Sequence, residues 1–291
     1  MSTEPITEVA ARRGAKLVRA NEIDIAYTEV GDGPPLVLLH GGLVSTGPAW
    51  AGSPPAHVDH LATLGKHFRV IAPDTRGSGA TVHPGGPATF DVLADDVVAL
   101  IEALELDRPL IAGFSEGGAT ATYTAVRHPG VVRAVVNHAG FDYFDPEHMA
   151  RLIAGNFRPL FGGRPDATSA DPDAAELASR SIPPLAATFA TMQADYDDAQ
   201  SEGHWRTYLG QFFDRTTTPL GYTIEDLASL TAPTLILAGD RDMFCPVEVA
   251  CAAYRALPEG ELGIIPNTEH EINHAIIDTM TGFLLRHAAT S

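Results

Sequence analysis

The sequence predicts an α/β fold in which a mostly parallel sheet carries helices on both faces. Short apolar runs recur along the chain without alternating with polar residues, which is typical of strands covered on both sides. Segments with helical periodicity separate these runs; in residues 90–105, Leu93, Val97, Leu100 and Ile101 share one side of a helix. Because strand, helix and strand repeat in this order, neighbouring strands are expected to run parallel, with crossover helices on both faces.

The individual elements follow from local patterns. Residues 16–20 and 23–30 predict an opening pair of short strands, and a Gly- and Pro-rich turn follows them. Further strands are predicted at residues 36–39, 69–74, 110–112, 131–139, 233–240 and 261–266. Helices are predicted at residues 58–67, 90–105, 116–127, 247–256 and 272–287.

The alternation stops between about residues 141 and 220. This stretch has no convincing sheet strand, but it has helix-like segments, scattered prolines and clustered aromatic residues. The sequence therefore predicts a helical insertion within an otherwise regular α/β domain.

Composition restricts the class of protein. The chain has 291 residues, of which 45% are hydrophobic and 19% charged, as expected for one well-cored domain with an insertion or for two modest ones. No apolar run approaches the roughly 20 residues needed to span a bilayer, and the first residues are polar. We therefore expect a soluble, cytoplasmic protein that has no membrane partner.

Charge and cysteine content exclude other classes. The formal net charge of −18 disfavours binding to nucleic acid, because phosphate backbones are also negative. The two cysteines, Cys245 and Cys251, match no zinc motif and are predicted to be free thiols. The oligomeric state is left open by the sequence.

A Gly-Phe-Ser-Glu-Gly pentapeptide at residues 113–117 connects the strand at 110–112 to the helix at 116–127. A serine on such a sharp strand-to-helix turn is held in strained backbone angles with its hydroxyl exposed, and Gly113 and Gly117 must be small to permit the turn. The same turn leaves the N–H of Glu116 unpaired at a helix N-terminus, where it can donate to a developing oxyanion. Ser115 is therefore the candidate nucleophile.

Three further motifs follow predicted strands: His-Gly-Gly at 40–42, Gly-Asp-Arg-Asp at 239–242 and Glu-His-Glu at 269–271. With these motifs and the pentapeptide in this order, the chain resembles the α/β-hydrolase superfamily of capped serine hydrolases and esterases from about residue 23 to residue 287. The resemblance implies the α/β-hydrolase fold, in which nucleophile, acid and histidine occur in that chain order at successive strand ends.

The resemblance also implies a catalytic triad of Ser115, His270 and Asp242. A serine hydroxyl needs a neutral imidazole as base, and a carboxylate must hold the imidazole in the correct tautomer. His270 occupies the family's position for the base, although Glu269 replaces the glycine that usually precedes it. Asp242 matches the usual position for the acid, whereas Asp142 occupies the alternative position that some relatives use.

Gly42 and Glu116 are implied to supply the two N–H donors of the oxyanion hole, with Leu43 as the alternative to Gly42. His40 is expected to shape this loop rather than to act as a base. The insertion corresponds to the cap that relatives place between the sixth and seventh strands of the core sheet. Residues 142–220 would form this cap, and residues 1–141 and 221–291 the hydrolase core. The candidate pocket residues are Leu43, Phe144, Trp205, Phe212 and Phe213.

These inferences predict a serine hydrolase that cleaves a carboxylic ester of a small, largely apolar substrate through an acyl-enzyme. No metal or organic cofactor is implied. Because one fold hosts many reactions, carbon–carbon bond hydrolysis, lactone or amide hydrolysis and cofactor-free perhydrolysis on the same triad stay open. The alternative of another class is a small-molecule receptor that does not turn its ligand over.

Overall fold

A computed structural model describes residues 5–50, 59–140, 186–217 and 221–288. Within these residues the chain forms one eight-stranded sheet with the order β1-β2-β4-β3-β5-β6-β7-β8. Its strands are β1 (Lys16–Ala20), β2 (Ile23–Val30), β3 (Pro35–Leu39), β4 (Arg69–Pro73), β5 (Leu110–Phe114), β6 (Val135–His138), β7 (Thr234–Gly239) and β8 (Gly260–Ile265).

The sheet is mostly parallel, as predicted. Strand β2 pairs antiparallel with both β1 and β4, whereas every pair from β4 through β3, β5, β6 and β7 to β8 is parallel. The carboxyl ends of β3, β5, β6 and β7 therefore meet at one edge of the sheet, which is where ligands bind in folds of this type.

The described helices lie on both faces of the sheet and, in the insertion, at its carboxyl edge. They are α1 (Ile6–Arg12), α2 (Thr46–Trp50), α3 (His60–Leu64), α4 (Phe90–Ala103), α5 (Glu116–Arg127), α6 (Ala186–Ala199), α7 (His204–Thr217), α8 (Val247–Ala256) and α9 (His274–Ala288). A 3₁₀ helix, Glu225–Ser229, precedes β7.

Successive side chains of each strand point to opposite faces of the sheet and so contribute to two hydrophobic cores. In β3, Val37 and Leu39 belong to the core that contains α4, α5 and α8, whereas Leu36 and Leu38 belong to the core that contains α9. Successive side chains of a strand point to opposite faces, so a run that is apolar throughout needs cover on both faces. This requirement is the physical reason for the layered fold.

Two predicted elements are shorter than their sequence patterns by several residues, whereas the others differ by at most two residues at an end. Strand β6 begins at Val135 rather than at residue 131, because its ladders to β5 and β7 both begin at Val135. Helix α3 spans His60–Leu64 rather than residues 58–67: Asp59 caps its start by accepting the N–H of Ala62, and the chain turns at Gly65.

Helices α6 and α7 lie in the chain between β6 and β7, inside the predicted insertion. The limits of that insertion, at residues 142 and 220, fall outside the described residues. In the described part of the chain, no helix is long and apolar enough to cross a membrane.

The insertion helices rest on the loops at the carboxyl edge of the sheet. Tyr196 Oη in α6 donates to the carbonyl of Val44 at 3.4 Å, and the Gln200 side chain donates to the carbonyl of Gly79 at 2.6 Å. His204 Nε2 at the start of α7 bonds to the carbonyl of Gly77 at 2.9 Å. These contacts set α6 and α7 against the loops that follow β3 and β4.

Candidate active site

Ser115 forms the turn between β5 and α5. Its backbone has φ 54° and ψ −121°, a strained conformation for a residue that is not glycine, and such conformations cluster at functional sites. A Cβ on Gly117 would lie 2.6 Å from the carbonyl oxygen of Leu39, and one on Gly113 would lie 2.7 Å from the N atom of Gly118. The turn therefore forms because both flanking residues lack a side chain.

His270 and Asp242 meet in the loops after β8 and β7. His270 Nδ1 lies 2.8 Å from Asp242 Oδ2, while Asp242 Oδ1 accepts the N–H groups of Phe244 at 2.8 Å and Cys245 at 2.9 Å. The Asp242 side chain is fully buried. Burial alone would raise the pKa of Asp242, but the nearby His270 and these hydrogen bonds lower it below its ordinary value.

This arrangement selects one imidazole tautomer. A neutral His270 that donates its Nδ1–H to the Asp242 carboxylate leaves Nε2 without a proton. Nε2 is then able to accept a proton from a hydroxyl group, which is the task of a general base.

Aromatic rings place the His270 side chain beside the serine turn. The His270 ring packs against the rings of Phe114 and Phe244, with a centroid distance of 4.7 Å to each. Phe114 immediately precedes Ser115. Within the described part of the chain no hydrogen bond joins the Ser115 hydroxyl to His270, and such bonds commonly tighten only when substrate is bound.

Two other aspartates bear on the assignment of the acid: Asp240, in the same Gly-Asp-Arg-Asp motif, and Asp142, the alternative position. Asp240 Oδ1 accepts the N–H of Thr268 at 3.2 Å and so ties the loop after β7 to the loop that carries His270. Asp142, the alternative acid, lies outside the described residues. Among the described carboxylates, Asp242 is the one hydrogen-bonded to His270.

The His40 side chain organises the loop after β3. It is buried, its Nδ1 lies 2.7 Å from the carbonyl of Gly41, and its Nε2 accepts the N–H of Thr75 at 3.0 Å. Since Nε2 accepts, Nδ1 carries the proton and donates to Gly41. Both ring nitrogens are thus used to hold the backbone of the loop.

The candidate oxyanion donors lie on this loop and on the serine turn. No hydrogen bond joins the N–H groups of Gly42, Leu43 or Glu116 to another described residue. Glu116 is the first residue of α5, where an N–H has no intrahelical acceptor. Leu43 adopts φ 68°, so the loop turns sharply at the alternative donor.

The candidate pocket residues divide into three groups. Phe212 of α7 lies against the loop: its ring occupies the space that a Cβ on Gly42 would need. Leu43 and Trp205 are buried, and no described contact places Trp205 at the serine turn. Phe144 and the side chain of Phe213 lie outside the described part of the structure.

Sequence reasoning used the N–H of Glu116 and missed its carboxylate. In the structure, Glu116 Oε1 pairs with Arg215 Nε, and Glu116 Oε2 accepts from Tyr208 Oη at 3.4 Å. Tyr208, Phe212 and Arg215 are spaced so that they share one face of α7. The signal was a charged residue inside the buried turn, which requires a partner elsewhere in the chain.

The described residues contain no group of three or more His, Cys, Asp or Glu side chains that could hold a metal ion. The described residues of the site supply a strained serine, an imidazole oriented by a carboxylate, and backbone N–H groups.

Comparisons with known proteins agree with this fold. A family model described as alpha/beta hydrolase fold matches residues 34–274. The AB hydrolase superfamily protein YisY of Bacillus subtilis is 28% identical over 262 residues, which cover 85% of this chain and 89% of YisY. The 2-hydroxy-6-oxo-6-(2'-aminophenyl)hexa-2,4-dienoic acid hydrolase of Metapseudomonas resinovorans is 29% identical over 262 residues, which cover 88% of this chain and 84% of that protein.

A solved structure is also similar to this chain. The His-tagged serine hydrolase involved in carbazole degradation, the CarC enzyme, aligns with a TM-score of 0.67 at 26% identity and covers 94% of this chain and 97% of its own. The family model matches most of the chain and agrees with the observed order of strands in the sheet. This chain belongs to the α/β-hydrolase family.

Proposed function

We propose that this protein is a serine hydrolase that cleaves a carboxylic ester of a small, largely apolar substrate through an acyl-enzyme. The observation that carries the proposal is the 2.8 Å contact between His270 Nδ1 and Asp242 Oδ2, next to a serine held at φ 54°. An oriented base beside a strained, glycine-flanked serine is the arrangement that activates a hydroxyl nucleophile.

In the proposed reaction, Ser115 Oγ attacks the ester carbonyl while His270 Nε2 accepts the hydroxyl proton. The tetrahedral intermediate collapses, the bond to the alcohol breaks, and His270 gives its proton to the departing alcohol. Water then attacks the acyl-enzyme with His270 again as base, which releases the acid and restores Ser115. Asp242 stabilises the imidazolium that forms in both halves.

The N–H groups of Glu116 and of Gly42, or Leu43 in its place, would donate to the oxyanion of each tetrahedral intermediate. Support comes from their position at a helix N-terminus and on the loop held by His40, with no described backbone or side-chain acceptor. Removal of one such donor typically costs on the order of 10²–10³-fold in kcat.

Charge and packing support a neutral, apolar substrate. The Phe212 ring lies against Gly42, so an aromatic surface borders the proposed oxyanion hole. Arg76, in the loop after β4, is buried and committed to Asp96 through Nε at 2.8 Å from Oδ2. The net charge of −18 also opposes the approach of anions at long range.

Carbon–carbon bond hydrolysis is the second candidate function, and the similarity to the Metapseudomonas dienoic acid hydrolase favours it. Ser115 would then attack a ketone carbonyl while His270 accepts its proton, the carbon–carbon bond would break, and His270 would give the proton to the departing carbon. Water would hydrolyse the resulting acyl-enzyme as in the ester reaction. A screen of p-nitrophenyl esters of graded chain length alongside a vinylogous diketone separates the two reactions.

The decisive test is Ser115→Ala together with labelling by a fluorophosphonate probe. We expect wild type to be labelled, the variant to escape labelling, and turnover to fall by on the order of 10⁴-fold or more. An unchanged melting temperature would show that the fold is intact. If purified Ser115→Ala keeps most of the ester hydrolysis, Ser115 is not the nucleophile; a wild type that binds ligands but is neither labelled nor active would be a receptor.

A further inference from the structure

Glu116, the residue that follows Ser115 in the serine turn, has a buried carboxylate. Glu116 is 3% exposed, and a Cβ on Gly42 would lie 2.8 Å from Glu116 Oε2. The carboxylate thus lies against Gly42, one of the two residues whose N–H groups are proposed to bind the oxyanion, and belongs to the other. An uncompensated anion at this place would repel the negative charge that develops on the substrate oxygen.

The compensating charge comes from α7. The Arg215 side chain is 2% exposed, and its Nε donates to Glu116 Oε1. Arg215 Nη2 also donates to Tyr208 Oη at 3.1 Å, and Tyr208 Oη donates to Glu116 Oε2 at 3.4 Å. Burial, followed by the negative charge of Glu116, raises the pKa of Tyr208, so its hydroxyl stays protonated as a donor.

These contacts form a closed triangle of Glu116, Arg215 and Tyr208. Glu116 belongs to the serine turn, whereas the other two lie on the same face of α7 as Phe212, whose ring packs on Gly42. One face of α7 therefore contacts both residues that supply the proposed oxyanion donors: Arg215 pairs with Glu116, and the Phe212 ring packs on Gly42.

We infer that Arg215 is a positioning residue of the proposed site: it holds and neutralises the Glu116 carboxylate, so that the oxyanion faces N–H donors and no net negative charge. This inference rests on the proposed function. This role differs from that of a purely structural ion pair in one prediction. Removing the positive charge of Arg215 should weaken the binding of an anionic adduct, whereas removing the negative charge of Glu116 should strengthen it.

The test compares Arg215→Gln, Glu116→Gln and the double variant, with kcat and KM for a neutral p-nitrophenyl ester and the affinity of an aryl boronic acid. The boronic acid forms an anionic tetrahedral adduct with a reactive serine and so reports on oxyanion stabilisation. Arg215→Gln should lower kcat and boronate affinity by roughly 10- to 100-fold, since a like charge at short range is left uncompensated. KM should change much less, because the ground-state ester carbonyl is neutral.

Glu116→Gln removes the negative charge and keeps Arg215, so it should raise boronate affinity. The double variant should recover most of the kcat that Arg215→Gln loses, and Arg215→Lys, which keeps the charge, should retain more kcat than Arg215→Gln. Arg127→Gln is the matched control, because it also removes one arginine charge, but at the opposite end of α5 from Glu116, where Arg127 pairs with the partly exposed Asp91 and Asp95. It should leave kcat and boronate affinity unchanged.

Melting temperatures of all variants show which of them are folded at the assay temperature. If Arg215→Gln does not fold, the boronate affinity of Glu116→Gln tests the inference alone. A higher affinity than that of wild type supports it, and a lower affinity overturns it. It is also overturned if folded Arg215→Gln keeps wild-type kcat, or if the double variant recovers none of the loss. Fluorophosphonate labelling of wild-type Ser115 separates these failures from failure of the proposed function, since an unlabelled wild type refutes both.

Discussion

Asp242→Asn is the sharpest test of the proposed triad, because the structure determines how the new amide must orient. Asp242 Oδ1 accepts the N–H groups of Phe244 and Cys245, so the amide oxygen of asparagine must occupy this position. The amide NH₂ is then directed at His270 Nδ1, which currently lies 2.8 Å from Oδ2. Since NH₂ is a donor, Nδ1 must become an acceptor, and Nε2 must carry the proton.

The wrong tautomer removes the base. A protonated Nε2 cannot accept the Ser115 proton, and loss of the carboxylate also removes the charge that stabilises the imidazolium. We expect kcat to fall by about 10⁴-fold. That factor corresponds to about 5.4 kcal/mol of transition-state free energy. KM should change little, because Asp242 is buried behind His270 and does not border the proposed substrate position.

The assay measures kcat and KM for a p-nitrophenyl ester, with melting temperature as the check on folding. Asp240→Asn is the matched control: Asp240 lies two residues earlier and accepts only the Thr268 N–H among its described contacts, so its loss should cost far less kcat. Asp142→Asn tests the alternative acid and should also cost far less. If Asp142→Asn abolishes activity while Asp242→Asn retains it, the acid comes from the end of β6 and the proposed triad is wrong.

Two further predictions concern pH and substrate charge. Burial, followed by the electrostatic interaction with the nearby His270, lowers the pKa of His138 to about 3, whereas an unfolded histidine has a pKa of about 6.5. The stabilisation from a neutral His138 is therefore complete above pH 6.5 and is lost as pH falls from there toward 3, with a slope of up to about 1.4 kcal/mol per pH unit. His138→Phe should remove this slope in urea unfolding; a difference between the two proteins that is independent of pH would contradict the reasoning. For substrates, kcat/KM should be higher for a neutral ester than for its mono-acid analogue with the same alcohol. At 1 M salt the screening length is about 3 Å, so long-range repulsion is removed. A preference for the acid under that condition would reveal a cation in the pocket and contradict this prediction.

Much of the core was predictable because its information is local. Strands covered on both faces are apolar throughout, and helix α4 has apolar residues at helical spacing, so both patterns can be recognised without knowledge of their partners. Element limits were less predictable. Val131, for example, is a β-branched residue in a strand-like run, but the ladders to β5 and β7 begin only at Val135.

The candidate site shows the same division. The pentapeptide at residues 113–117 predicts a strained serine turn because only residues without side chains allow the close approach of β3, β5 and α5. The motif order further indicated His270 and Asp242, and the structure places these two side chains in contact. Their roles in catalysis stay predictions until the variants are measured.

The sequence by itself determined the layered α/β fold, the strained turn at Ser115 and the order of the candidate catalytic groups, because each depends on neighbouring residues and on spacing along the chain. Only the tertiary structure decided which insertion residues reach the site. Glu116 and Arg215 are far apart in sequence, and a buried pair of opposite charges leaves no periodic signal in either segment. The pairing exists because folding buries the Glu116 carboxylate, and a buried charge is stable only where the fold brings an opposite charge to it.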